Sequence, residues 1–299
     1  MACDLLYCTY PAKENGGSSE RYRPMIQQFN GGVNSRLSKS VMEFYQAGLD
    51  VLLKNQIPFL VGGAYALNAY TGVERHTKDL DIFIQQRHLE DSLAALKSIG
   101  CRTEITFPHW LAKAYADEAF IDLIYASGNG LAIVDDEWYS NARPGVVMGR
   151  TVFLCPPEEM IWSKAFITER ERFDGADINH IIQSQGTLLD WDRLVRRFGS
   201  RWRVLLSHLT MFGFVYPAER NKVPPHVMED LIEKLHIETL DEPDQGNVCN
   251  GTLVSREQYL VDIHEWGYDD ARLNSDVRMT PNDIDLWTNA IQRGRADHA

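Results

Sequence analysis

The chain has 299 residues, a net charge of −12, and hydrophobic and charged fractions of 44% and 24%. That is the make-up of a water-soluble globular protein long enough for two domains. No run approaches the roughly 18 apolar residues of a membrane span, and the acidic balance argues against a basic face that grips long nucleic acid. The five cysteines, Cys3, Cys8, Cys101, Cys155 and Cys249, form no C-x-x-C pair and no zinc-type cluster, so reduced thiols are expected.

Residues 1–35 carry Gly, Ser, Asn and mixed charge without an apolar period, and read as a loosely ordered leader. The opening MACDLLYCTYPAKENGG lacks the basic and apolar regions of a signal peptide, so a cytoplasmic protein without a membrane partner is expected. From Ser38 to Lys54 the apolar residues Val41, Phe44, Tyr45, Leu49, Leu52 and Leu53 recur at helical spacing, with Ser38 or Ser40 as cap.

The stretch from Phe59 to Ile84 carries the chemistry. A short apolar strand ends at Gly62-Gly63, a helix-length segment runs to Gly72, and a second strand holds Asp79 and Asp81. Residues i and i+2 of a strand share a face, roughly 7 Å apart. Two carboxylates so placed in an apolar strand repel each other and resist desolvation unless a cation sits between them, and a divalent metal with oxygen ligands answers that need. Glycines at the neighbouring turn let backbone N–H groups approach phosphate oxygens. Arg75 and Lys78, just before the aspartates, either meet phosphate or balance the carboxylates; His76 is either a metal ligand or an exposed loop histidine.

Leu89 to Ile99 reads as an amphipathic helix closed by Gly100, and residues 102–126 as strands. In the last of these, AFIDLIYAS, Asp122 is the lone acid. A hairpin turning at Asp117-Glu118 sets Lys113 opposite Asp122. Asp122 is then either half of a cross-strand ion pair or the third acid of the Asp79/Asp81 site, and Lys113 serves both readings. VDDEWYSNARPG reads as a loop with solvated Asp135, Asp136 and Glu137, and Thr151–Leu154 as a last strand.

Pro157 starts a helix expected to run through PEEMIWSKAFITERERF to Phe173, with Glu158 and Glu159 in its first turn, and the domain boundary is expected near residue 155. The remainder reads as mostly helical: INHIIQSQ, DWDRLVRRFG, an apolar LLSHLTMFGFVY, HVMEDLIEKLHIE and, after a polar connection over residues 237–255, REQYLVDIHEWG. The tail beyond Thr280 docks or frays. RLVRRFGSRWR, Arg193 to Arg203, is either a solvated helix face or a patch for RNA or a triphosphate tail.

Gly62-Gly63, Asp79-x-Asp81 and Asp122 together resemble the DNA polymerase β-like nucleotidyltransferase superfamily. The resemblance is sharper with its minimal bacterial branch, which includes abortive-infection toxin-type enzymes and adds a Lys-x(4–6)-Arg element and a further Asp. Lys164, Arg170 and Asp177 supply these here, and the match covers about residues 37–185. Two features depart from the pattern. Fifteen residues separate Gly63 from Asp79, and Lys164 and Arg170, six apart, do not share a face of one regular helix, whereas Arg170, Asp174 and Asp177 do.

The resemblance implies an α+β fold: a small mixed sheet with flanking helices (residues 36–155), then a mostly helical domain (residues 156–299). It also implies an enzyme that moves a nucleoside monophosphate from an NTP donor to an acceptor hydroxyl with release of pyrophosphate. Asp79, Asp81 and Asp122 would be catalytic and hold two Mg2+ or Mn2+ ions; Gly62, Gly63, Lys164, Arg170 and Lys78 would bind the nucleotide; Lys113 and Asp177 would be accessory. The acceptor is left open among tRNA, a small molecule and a protein. The alternative is a catalytically silent nucleotide- or partner-binding module of a toxin–antitoxin system.

Overall fold

The computed structural model describes residues 37–75, 77, 79–117, 119–242 and 246–296. The leader, His76, Lys78 and Glu118 of the expected hairpin turn lie outside the described residues.

Helix α1 (Lys39–Lys54) starts where the Ser38 side chain accepts a hydrogen bond from the Val41 N–H, and it buries Tyr45, Leu49, Val51 and Leu52. Seven strands follow: β1 (Leu60–Val61), β2 (Asp79–Phe83), β3 (Arg102–Phe107), β4 (Leu111–Ala116), β5 (Ala119–Ile124), β6 (Arg143–Val147) and β7 (Arg150–Leu154). They form one mixed sheet in the order β3-β4-β5-β2-β1-β7-β6, with β2–β5 and β1–β7 parallel and the other pairs antiparallel.

The β2–β5 register sets Leu80 beside Ile121 and Asp81 beside Asp122. Side chains alternate along each strand, so Leu80, Ile82, Ile121 and Leu123 share one face and are fully buried. Helix α1 covers that face so closely that a Cβ on Gly48 would meet the Ile121 side chain. Asp79, Asp81, Asp122 and Ile124 occupy the opposite face. Helices α2 (Gly63–Thr71) and α3 (Leu89–Ser98) complete the expected order up to β5.

Beyond β5 the chain departs from the sequence reading in three places, and the tail takes one of its two expected outcomes. The stretch read as an acidic loop contains helix α4 (Asp136–Ser140), capped by the Asp135 carboxylate, and strand β6, which pairs with β7. Helix α5 (Pro157–Ala165) stops eight residues short of Phe173, because Thr168 leaves the helical path to bond the Val254 carbonyl and bridge to Phe173. REQYLVDIHEWG yields only helix α10 (Leu260–His264). The tail beyond Thr280 docks as helix α11 (Pro281–Ala296). Between these lie α6 (Gly175–Gln185), α7 (Trp191–Phe198), α8 (Trp202–Val215), α9 (Pro225–Leu240) and a short parallel pair, β8 (Val248–Cys249) and β9 (Asp269–Asp270). Among the described residues, no helix is long and apolar enough to cross a membrane.

The arginine-rich α7–α8 region is in part a solvated face, with Arg196 and Arg203 exposed, and in part a set of ion pairs to acidic residues. Arg193 is buried against Glu158 and Glu159 of α5, with a 2.7 Å contact to Glu158. Arg197 reaches Asp135 at 2.6 Å, Glu137 at 3.2 Å and Glu159 at 3.2 Å. Arg201 pairs with Asp276, and Arg203 with Glu238. Asp135 and Glu137, read as solvated, are ion-paired while still partly exposed, and four of the region's five arginines meet acidic partners, with Arg196 exposed.

Candidate active site

Strand β1 ends at Gly62, whose N–H donates to the Asp81 carbonyl at 3.0 Å. Gly63 follows at the start of α2 with φ of +54°, a left-handed conformation that glycine adopts without steric cost. A Cβ on Gly63 would lie 1.6 Å from Asp81 Oδ2, so glycine is required there for space as well as for conformation. The Asp81 carboxylate consequently lies against the N-terminal end of α2, where the helix dipole favours negative charge.

Asp79, Asp81 and Asp122 each place a carboxylate oxygen within 4.8 Å of the others. Burial, then the charges of Asp79 and Asp122, push the Asp81 carboxyl up to about 7. Burial also raises Asp122, opposed by Lys113, whose ammonium donates to Asp122 Oδ1 at 2.6 Å and sits over the Phe120 ring. The expected Lys113–Asp122 register is therefore present, and the pair coexists with a third-acid position for Asp122. Thr77 donates to Asp79 Oδ1. One lysine against three converging carboxylates leaves an excess of negative charge. The all-oxygen donor set and the raised Asp81 carboxyl fit a hard divalent cation.

The facing wall comes from α5, the loop after it and α6. Lys164 of α5 reaches Asp174 at 2.7 Å and Asp177 at 2.9 Å. Arg172 donates through two nitrogens to Asp174, and Arg75 pairs with Asp177. Burial works to raise the Asp174 carboxyl, yet the Arg172 hydrogen bonds and the Lys164 charge carry it down to about 2. The hydrogen bond to Asp174 raises Arg172 in turn.

Between the walls lies a cleft of about 620 Å³. It is lined by Gly63, Asp79, Asp81, Asp122, Lys164 and Asp177 among the residues read from sequence. Gly62 lies one residue behind this lining and Lys113 behind Asp122. Arg170 does not share a helix face with Asp174 and Asp177, because α5 ends before it; it is exposed on the loop and outside the lining. Arg172, two residues on, occupies the cleft instead, although the Lys-x(4–6)-Arg spacing selects Arg170. A third wall, formed by Leu253, Val254, Arg256 and Trp287, was absent from the sequence reading. Its one legible signal was Thr280-x-x-Asp283: the Thr280 hydroxyl and the Asp283 carboxylate bond each other's backbone N–H in a capping box that starts α11 and so brings Trp287 into place.

No family model matches the chain, and no curated protein matches it. Three solved structures to which it is similar are the following. The solution structure of the antibiotic-resistance factor ANT(2'')-Ia is 19% identical, over 57% of this chain and 98% of that one, with a TM-score of 0.43. The lincomycin-bound lincosamide antibiotic adenylyltransferase LnuA is 15% identical, over 48% of this chain and 96% of that one, with a TM-score of 0.35. JHP933 from Helicobacter pylori is 14% identical, over 69% of this chain and 100% of that one, with a TM-score of 0.36.

Proposed function

We propose that the protein is a nucleotidyltransferase that moves a nucleoside monophosphate from an NTP to an acceptor hydroxyl. The observation that carries this reading is the convergence of Asp79, Asp81 and Asp122 on one sheet face beside the Gly62-Gly63 turn. The cationic wall of Lys164 and Arg172 across the cleft supports it.

In this reading Asp79, Asp81 and Asp122 hold divalent metal, Mg2+ or Mn2+. Bound metal supplies charge neutralisation and Lewis-acid polarisation at the reacting phosphate. Gly63 keeps the start of α2 free of side chain, so that backbone N–H groups face the β- and γ-phosphates. Lys164 and Arg172 exchange part of their hold on Asp174 and Asp177 for phosphate oxygens, steadying the charge that develops on the departing pyrophosphate. Lys113 fixes one oxygen of Asp122, which leaves the other for metal or for the acceptor hydroxyl. The acceptor oxygen forms a bond to the α-phosphorus as the bond to the β-bridging oxygen breaks. Pyrophosphate leaves with that electron pair, and the hydroxyl proton departs by way of Asp122 to solvent.

The test is incubation with α-labelled NTPs, Mg2+ or Mn2+ and candidate acceptors, alongside calorimetric titration of NTP binding. Metal-dependent NTP binding and labelled product are expected, and both should be lost in Asp81→Asn while the protein stays folded. An unlabelled mixture with no metal-dependent NTP binding overturns the enzyme reading; binding without transfer leaves the silent module.

A further inference from the structure

The two ends of the cleft differ in chemistry. One end is charged: Lys164, Arg172, Asp174 and Asp177 form a ring of ion pairs whose cations act electrostatically on Asp81. The other end follows β5 away from Asp122. Asp122 and Ile124, two residues apart, share a face of β5, and both line the cleft together with Ala126, just past the strand's end. The turn that follows contains Gly128, where Trp287 packs so tightly that an added Cβ would stand 2.7 Å from its ring. Trp110, Val254 and Trp287 close this end. Hydrogen bonds from Asn129 to the Leu253 carbonyl at 2.8 Å and from the Thr168 N–H to the Val254 carbonyl at 3.1 Å hold the late segment in place.

The charges at this end cancel. Arg256 stacks on Trp287 and donates to both oxygens of Glu169, at 2.6 and 2.8 Å. Both carboxylate oxygens of Glu169 are thereby occupied, so that among the described residues lining this end no acid beyond the triad is left for a cationic ligand, and burying an unpaired charge against the remaining apolar wall would be costly. In the basic α7–α8 region, another place where a polyanion could be held, Arg193, Arg197, Arg201 and Arg203 are engaged by Glu158, Glu159, Asp135, Asp276 and Glu238, which leaves the exposed Arg196. A cleft of about 620 Å³, shared with a triphosphate, has the size of a small-ligand site.

We propose that the acceptor is an uncharged small molecule with an apolar or aromatic body and a free hydroxyl, seated along β5 against Trp110 and Trp287. Ile124, Val254 and Trp287 set its specificity. The inference rests on the nucleotidyl-transfer reading. In-line displacement puts attacking and leaving oxygens on opposite sides of the α-phosphorus. The Lys164/Arg172 end suits the leaving pyrophosphate, so the acceptor enters from the Asp122 side, where the apolar end begins.

The experiment offers the full-length protein α-labelled NTP and Mg2+ with three acceptor sets: uncharged phenolic and polycyclic alcohols, polycationic amino sugars, and short RNA with a free 3′ hydroxyl. Label is expected on the first set. Trp287→Ala, and Val254→Glu on a partly exposed loop, should raise the KM for that acceptor roughly tenfold or more and leave the KM for NTP unchanged. Circular dichroism and thermal melts establish that each variant is folded. Label on the polycations or on RNA, no label on any uncharged alcohol while metal-dependent NTP binding is intact, or a variant effect on the NTP KM in place of the acceptor KM each overturns the inference. Loss of metal-dependent NTP binding in the unaltered protein instead fells the underlying reading, and the inference with it.

Discussion

Two clusters of buried or half-buried acids, one on α5 and one on the sheet, are built in opposite ways. Glu158 and Glu159 on α5 are almost fully buried, and Arg193 and Arg197 answer their charge. Asp79, Asp81 and Asp122 converge with, among the described residues, Lys113 as the one cation in direct contact with them. In the first cluster acid and base are matched inside the protein, and the product is a clamp between α5 and α7. In the second the match is left incomplete among the described residues, and burial, then the charges of Asp79 and Asp122, lift the Asp81 carboxyl to about 7. Burial of carboxylates is therefore a poor pointer to chemistry. The unmatched charge is what separates the candidate site from the scaffold.

The sharpest test of that contrast is Arg193→Met. It leaves two buried glutamates short of their main partner, and a loss of about 3–5 kcal/mol in denaturant unfolding is expected. A loss below about 1 kcal/mol would mean that the clamp contributes little and that the two clusters are alike.

Next comes acid. The folded Asp174 carboxyl sits at about 2 against an ordinary 3.8. A lowered carboxylate stabilises the fold above its unfolded value and loses that contribution as pH falls through the folded one. About 2 kcal/mol of stability should therefore disappear between roughly pH 4 and pH 2. Asp174→Asn, followed by pH-dependent unfolding, should flatten that limb; an unchanged limb would show that the Lys164–Asp174–Arg172 ring is electrostatically inert.

Third, Asp81→Asn relieves repulsion within the triad and should stabilise the metal-free protein by about 1 kcal/mol, opposite in sign to Arg193→Met. Destabilisation of comparable size would make the triad a structural element. The smallest effect expected is a rise of a few degrees in melting temperature on adding millimolar Mn2+ to the unaltered protein, absent in Asp81→Asn.

What the sequence disclosed follows the same division. The Gly62-Gly63 turn, the Asp79/Asp81 face and the Lys113–Asp122 register are local consequences of turn geometry and strand alternation, and residue spacing alone places them. Arg193 reads as a surface residue from its neighbours, because its partners Glu158 and Glu159 lie more than thirty positions away. The end of α5 at Ala165 depends on Thr168 bonding Val254, another distant contact. The choice of Arg172 over Arg170 depends on that break in turn. Trp287 was accessible in principle through the capping box at Thr280 and Asp283, a local signal left unread beside a tail lacking long apolar runs.

The parallel rung joining Asp81 to Asp122 also sets how the chain tolerates change in length. Strand β5 enters that rung directly from the tight turn at Asp117, which has φ of +50°. Because side chains reverse face at every residue, inserting or deleting one residue within β5, between Ala119 and Asp122, would carry the acid to the side where Ile121 packs under α1. Substitutions there are graded in effect, whereas a one-residue shift is all or none. Strand β5 up to Asp122 is thus a segment of fixed length, and length-variant libraries of it should return active proteins only in even steps.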